Sequence, residues 1–215
     1  MSKGTQEIEI KLAVKDARSA RRRLREAGFA VSRPRVFETN TVFDKPELSL
    51  QASSRLLRIR QAGGVATITY KGVPEAGKYK SREELELQIG NAAAMMAIVE
   101  RLGYHRVFRY EKYRTEFQQP RRSGVAMLDE TPVGVYLELE GTPHWIDRTA
   151  RRLGFQESDY ITASYARVYV DWCAANERTP GDMTFAESAP IRSATAPSRS
   201  RLRSEPRLHQ SEPRP

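Results

Sequence analysis

Near the start of the chain, Glu7-x-Glu9-x-Lys11 sets two carboxylates and an amine at alternate positions. With a strand's period of two, these three point to one face and Ile8, Ile10 and Leu12 to the other. Adjacent charges are unfavourable unless their face is wet or holds a ligand. Taken alone, the pattern describes an edge strand with one solvated face. What changes its meaning is repetition: Arg58 and Arg60, Lys71 with Thr67 and Thr69, Arg82 with Glu84 and Glu86, Lys112 with Arg114, Asp129 with Met127, and Glu138 with Glu140 follow the same alternation. Basic side chains converging from several strands can hold a chain of phosphates, with arginine gripping oxygens two at a time. Clustered carboxylates suit a hard divalent cation, Mg²⁺ or Mn²⁺. Together the two signs make phosphoryl or nucleotidyl transfer feasible.

The elements that must carry these residues are short and punctuated by turns. Strand patterns cover Phe37 to Phe43, Leu56 to Gln61, Val65 to Lys71, Arg82 to Ile89, Val107 to Phe117, Val125 to Glu130 and Val135 to Glu140, besides the first. Gly63-Gly64 and Pro132-Val133-Gly134 read as hairpin turns, and Gly72 to Ser81, with Lys78 and Lys80, as a mobile loop. Asp16, Asn91 and Thr142-Pro143 open helices that end at Gly28-Phe29, Gly103-Tyr104 and Gly154-Phe155, and a last helix covers Ala163 to Ala175. The arginine run Arg21-Arg22-Arg23 falls on the polar side of the first helix, a solvated face.

Eight strands joined mostly by hairpins predict an α+β fold: an eight-stranded antiparallel closed β-barrel with helices packed outside. A charged face on every strand requires a wet interior, because each buried ion otherwise carries a penalty of several kcal/mol. Glu7, Glu9, Glu84, Glu86, Asp129, Glu138 and Glu140 then share a tunnel with Lys11, Arg58, Arg60, Lys71, Arg82, Lys112 and Arg114. The apolar faces (Ile8, Ile10, Leu57, Ile59, Leu85, Leu87, Leu137, Leu139) turn outward under the helices. The domain is predicted over residues 1–178. Six of the twelve prolines lie from Pro180 onward among serines and arginines, so residues 179–215 read as a disordered tail.

The net charge of +9 implies an anionic partner. Nucleic acid is disfavoured, because the basic residues are interleaved with acids along strands. No apolar run reaches the ~18 residues of a membrane span, and no apolar signal region precedes the first strand, so a cytoplasmic protein is expected. The lone Cys173 sits beside Trp172 in an apolar helical pattern and reads as core filler. His105, His144 and His209 are scattered, and no P-loop, GxGxxG or Ser-His-Asp arrangement is present. Whether the chain forms a homodimer is left open.

The ordered set Glu7-x-Glu9-x-Lys11, Phe43-Asp44-x-Pro46, Leu57-Arg58-Ile59-Arg60, Thr69-Tyr70-Lys71-Gly72, Arg82-Glu83-Glu84-x-Glu86, Lys112-x-Arg114, Leu128-Asp129 and Leu137-Glu138-Leu139-Glu140-Gly141 resembles the CYTH superfamily, the triphosphate tunnel metalloenzymes, over roughly residues 5–175. The Phe43-Asp44 segment, the Tyr70-Lys71-Gly72 turn and Ser164-Tyr165 are most similar to the bacterial class IV adenylyl cyclase branch. The resemblance implies a tunnel that binds a triphosphate with divalent metal. Glu7, Glu9, Asp129, Glu138 and Glu140 would be metal-side carboxylates; Lys11, Arg58, Arg60, Lys71, Arg82, Lys112 and Arg114 would hold phosphates, with Glu84 and Glu86 as further tunnel acids. Two reactions then compete, cyclisation of ATP to cyclic AMP and pyrophosphate, and hydrolysis of inorganic, thiamine or nucleoside triphosphate. A noncatalytic polyphosphate- or RNA-binding module is the third reading, and paired carboxylates argue against it.

Overall fold

The computed structural model describes residues 5–120 and 123–186. Eight strands, β1 (Thr5–Val14), β2 (Ala30–Asp44), β3 (Leu56–Ala62), β4 (Val65–Lys71), β5 (Lys80–Ile89), β6 (His105–Gln118), β7 (Val125–Thr131) and β8 (Gly134–Glu140), close into an antiparallel barrel in the order β1-β5-β4-β3-β2-β6-β7-β8. Closure pairs β1 with β8 and leaves no open edge on the sheet. Helices α1 (Ala17–Glu26), α2 (Ser49–Ala52), α3 (Ala92–Arg101), α4 (Pro143–Arg152) and α5 (Tyr165–Ala175) lie around it.

Local chemistry sets the helix limits. Asp16, Asn91, Thr142 and Ser164 each accept a hydrogen bond from the backbone N–H three residues on. The three helix–glycine–aromatic endings are Schellman caps: Phe29 N–H donates to Leu24 O, Tyr104 N–H to Val99 O and Phe155 N–H to Ala150 O. Each needs a left-handed residue at the glycine, where φ is +77°, +86° and +84°.

The outward apolar faces are buried only where a helix lies on them. Ile10, Leu12, Leu128, Leu137 and Leu139 are fully enclosed beneath α1 and α4 with Leu24, Trp145 and Ile146. Phe43 and Ile59 pack under α3 with Val99. Cys173 is buried and free on α5, the filler role expected of it. Leu85 and Leu87 depart from expectation: they are 40% and 64% exposed, whereas Ile89 at the end of the same outer face packs against the α3 cluster.

Two boundaries also move. β2 begins at Ala30 rather than Phe37, and its register against β6 shifts around Pro34, which has no N–H to donate. The chain beyond residue 178 is not all tail. Met183 bridges to Tyr110: Glu111 N–H donates to Met183 O at 2.9 Å and Met183 N–H to Arg109 O at 2.9 Å. Met183 is wholly buried against Tyr110, Tyr165 and Tyr169. Asp182 accepts from Arg109 N–H and pairs with the Arg106 guanidinium at 3.1 Å. Proline-rich composition concealed this short docked segment; residues 187–215 lie outside the described residues. A chain ending at Pro180 is expected to be ~2 kcal/mol less stable in urea unfolding than one ending at Ala186, roughly the worth of one buried methionine. Equal midpoints would show that the segment docks without stabilising.

Candidate active site

All fourteen charged residues singled out from the sequence face the barrel interior, and cross-strand register accounts for it. Glu9 is the direct partner of Glu140, Lys11 of Glu138, Glu7 of Arg82 and Arg114 of Asp129. Residues opposite each other on antiparallel strands share a face, so each pairing puts both side chains inside.

The lining divides into two clusters. In the first, Asp129 is completely buried and receives two hydrogen bonds from Arg114, at 2.7 and 2.6 Å, one from Lys112 Nζ at 2.8 Å and one from the Tyr165 hydroxyl at 2.7 Å. Arg114 also donates to Glu138, and Lys11 Nζ lies between Glu138 at 3.4 Å and Glu9 at 3.3 Å. Burial opposes ionisation of Asp129, but Arg114 and Lys112 outweigh it and hold the carboxyl at about 2. Burial likewise disfavours the Lys11 ammonium, and Glu9 and Glu138 more than compensate, raising its pKa above the usual lysine value. These charges are therefore fixed at neutral pH.

The second cluster is acidic and less balanced. Lys71 Nζ bonds its cross-strand partner Glu84 on β5 at 2.8 Å and reaches past that strand to Glu7 on β1 at 2.6 Å, and Lys80 Nζ bonds Glu9 at 2.9 Å. Glu140 faces Glu7, Glu9 and Glu84, and burial followed by these neighbours pushes its pKa up to about 7. Burial lowers Lys80 to about 8 despite Glu9, with Lys11 and Arg82 adding repulsion. Arg58 donates to the Tyr110 hydroxyl at 3.3 Å and Thr69 at 3.2 Å, and Arg60 pairs with Glu86 at 3.0 Å in the more exposed part of the wall.

Four participants were not picked out from sequence. Glu38 and Asn40 continue the alternation on β2, but neutral Thr39, Thr41 and Val42 dilute the signal. Lys80 shares parity with Arg82 and Glu84, yet Pro74 and Gly77 nearby suggested a loop; it is the first residue of β5. Lys78, two positions earlier, lies outside the tunnel between Asp147 at 2.9 Å and Glu157 at 2.8 Å. Tyr165, at the first turn of α5, enters the lining with its ring 5.3 Å from Lys11 Nζ and 5.0 Å from Lys112 Nζ.

Among the described residues, no three His, Cys, Asp or Glu side chains are already arranged around one metal position. The donor set nevertheless fits a hard cation. Glu9 and Glu140 are like charges directly opposite on paired strands, with Glu7 and Glu84 beside them; Lys71 and Lys80 offset part of this repulsion, and the raised pKa of Glu140 shows that part remains. Among the described residues no helix is long and apolar enough to cross a membrane.

Comparison with known proteins agrees with this architecture. A Methanocaldococcus jannaschii protein named as a candidate adenylate cyclase is 30% identical over 135 residues, covering 62% of this chain and 75% of that one. The structure of a candidate adenylate cyclase from Vibrio parahaemolyticus superposes with a TM-score of 0.67 at 20% identity, covering 77% of this chain and 98% of that one. A Hippeastrum protein, described as a candidate adenylyl cyclase with a dominant triphosphatase activity, gives 0.57 at 18% identity, covering 81% and 97%. The family model for the CYTH domain matches residues 5–179, and the chain therefore belongs to the CYTH domain family.

Proposed function

We propose that the protein is a metal-dependent adenylyl cyclase that converts ATP to cyclic AMP and pyrophosphate. The observation that carries this reading is the division of one closed lining into a charge-fixed basic wall and a carboxylate cluster in which Glu140 faces Glu7, Glu9 and Glu84. Glu7, Glu9 and Glu140 would hold Mg²⁺ or Mn²⁺, which when bound neutralises charge on the phosphate oxygens and the leaving pyrophosphate. Asp129 and Glu138, metal-side carboxylates by resemblance, are bonded by Arg114, Lys112 and Lys11, and on this reading they would anchor those cations. Arg58, Arg60, Arg82 and Lys112 would take the phosphate oxygens from the surrounding strands. Fixing the triphosphate in this way sets the ribose 3′ oxygen in line with the α-phosphorus. Lys80, lowered to about 8, is suited to receive the hydroxyl proton as the new P–O bond forms and pyrophosphate departs.

A second reading is hydrolysis of a triphosphate, with water in place of the ribose hydroxyl. Lys80 is compatible with both, since an amine lowered to about 8 can take a proton from water or from the ribose hydroxyl. The activity for which the Hippeastrum protein is described supports hydrolysis. Product analysis separates the two. With ATP and Mg²⁺ or Mn²⁺ the cyclase yields cyclic AMP and pyrophosphate in equal amounts. Orthophosphate without cyclic AMP would establish the triphosphatase instead, and turnover of neither ATP, inorganic triphosphate nor thiamine triphosphate would leave a binding module.

A further inference from the structure

The pairing in the lining is uneven. Among the described residues, nine buried side-chain polar atoms have no hydrogen-bond partner, and five of them sit together on the inner wall of β2, β3 and β4: Glu38 Oε2, which has the Lys112 ammonium 3.7 Å away but no hydrogen bond, Asn40 Nδ2 and Oδ1, Arg58 Nε and Thr67 Oγ1. Register places them side by side. Asn40 is opposite Arg60 on one flank and Tyr110 on the other, and Arg60 is opposite Thr67. Asn40 is fully buried, yet neither its amide donor nor its acceptor is used. Leaving such groups unpaired costs about 1–3 kcal/mol each, so an unpaired cluster calls for a partner.

The chemistry of the missing partner is constrained by the mixture of donors and acceptors. A triphosphate offers acceptors only, and would be repelled by Glu38 Oε2 and by Asn40 Oδ1. What fits is a planar group with an amino donor beside a ring-nitrogen acceptor. The Tyr110 ring stands next to Asn40 across the strand pair and stacks on Phe108 with centroids 5.7 Å apart, providing an aromatic flank. Arg60, opposite both Asn40 and Thr67, pairs with Glu86, and their side chains are 21% and 37% exposed.

We propose that Asn40, with Glu38, reads the adenine base of the substrate. An adenine 6-amino group would donate one hydrogen to Asn40 Oδ1 and the other to Glu38 Oε2, while a ring nitrogen accepts from Asn40 Nδ2, the same donor–acceptor match by which asparagine reads adenine elsewhere. Guanine places a carbonyl oxygen where the amino group would be, facing the Glu38 carboxylate. This assignment rests on the tunnel being a nucleoside-triphosphate site; it specifies the base.

The test compares dissociation constants for α,β-methylene ATP, α,β-methylene GTP and inorganic triphosphate, each with Mg²⁺, in the full-length protein and in Asn40→Leu. Wild type is expected to prefer the adenine analogue over the guanine one. Asn40→Leu should weaken the adenine analogue by about 10–100-fold, the span of one bidentate base contact, and shrink the adenine-over-guanine ratio. Inorganic triphosphate, lacking a base, should change by no more than about twofold. Equal weakening of all three ligands, or no adenine preference in wild type, would overturn the assignment. If Asn40→Leu fails to fold by circular dichroism, Asn40→Asp keeps the shape while deleting the donor, and the same loss is expected. A protein that binds the adenine analogue through Asn40 but forms no cyclic AMP would refute the cyclase and leave the base assignment standing.

Discussion

Replacing Arg114 by alanine is expected to lower turnover by about 10²–10³-fold, the effect of deleting one preorganised charged donor, and to destabilise the fold by ~3–5 kcal/mol. Arg114 hydrogen-bonds both Asp129 and Glu138, giving two hydrogen bonds to the first and one to the second. Without it, Asp129 keeps Lys112 and Tyr165, and Glu138 keeps Lys11. Those cations then lie closer to full neutralisation and grip phosphate less well. Burial also disfavours the Arg114 charge, and Asp129 and Glu138 overcome it, holding the guanidinium far above the usual arginine value. The stability loss comes from buried carboxylates left short of a partner. Arg114→Lys restores one charge but not the planar fork, so stability should recover more than turnover. Urea unfolding with steady-state kinetics on both variants checks this. An alanine variant with wild-type midpoint and rate would remove Arg114 from the site.

The alternation that reveals this site in the sequence is strongest where charges follow one another without interruption. Glu7-Ile8-Glu9-Ile10-Lys11 and Leu137-Glu138-Leu139-Glu140 declare both faces of a strand at once, and closure of the barrel follows from there being no strand without a polar side. Which cation neutralises which acid was not legible, because partners are set by barrel geometry: Lys71 meets Glu7 across an intervening strand, 64 positions away. The bonds from Arg114 and Lys112 to Asp129, and from Arg114 and Lys11 to Glu138, are likewise set by the barrel and not by spacing in the sequence. Asn40 escaped notice for a different reason, since a neutral amide among threonines resembles ordinary strand filler until both its amide atoms are found buried and unused. Met183 was hidden by composition, as one buried side chain outweighs the surrounding prolines and serines only once Tyr110 and Tyr169 are beside it.

Glu140→Gln is expected to remove both a pH dependence and most of the response to Mg²⁺. In the metal-free protein, burial and the facing Glu7 and Glu9 raise Glu140 from 4.5 to about 7, so the folded state binds this proton more tightly than the unfolded chain. Its contribution to stability is thus present in full below about pH 4.5 and is lost as the pH rises through about 7. Thermal midpoints of the metal-free wild type should fall between pH 5 and 8 relative to those of Glu140→Gln, which has no proton to lose. A divalent cation reverses the slope, because it binds the deprotonated carboxylate and its affinity rises over the same interval. Millimolar Mg²⁺ should therefore raise the wild-type midpoint at pH 8 and scarcely at pH 5. In Glu140→Gln the Mg²⁺ affinity should drop at least about tenfold, since even outer-shell partners of a metal are worth 10–100-fold. The same Mg²⁺ stabilisation in both proteins would place the cation elsewhere. A retained pH slope in the glutamine variant would assign the titration to Glu7, whose pKa is also raised, by burial first and then by Glu9. The two outcomes separate where the metal sits from which carboxylate makes room for it.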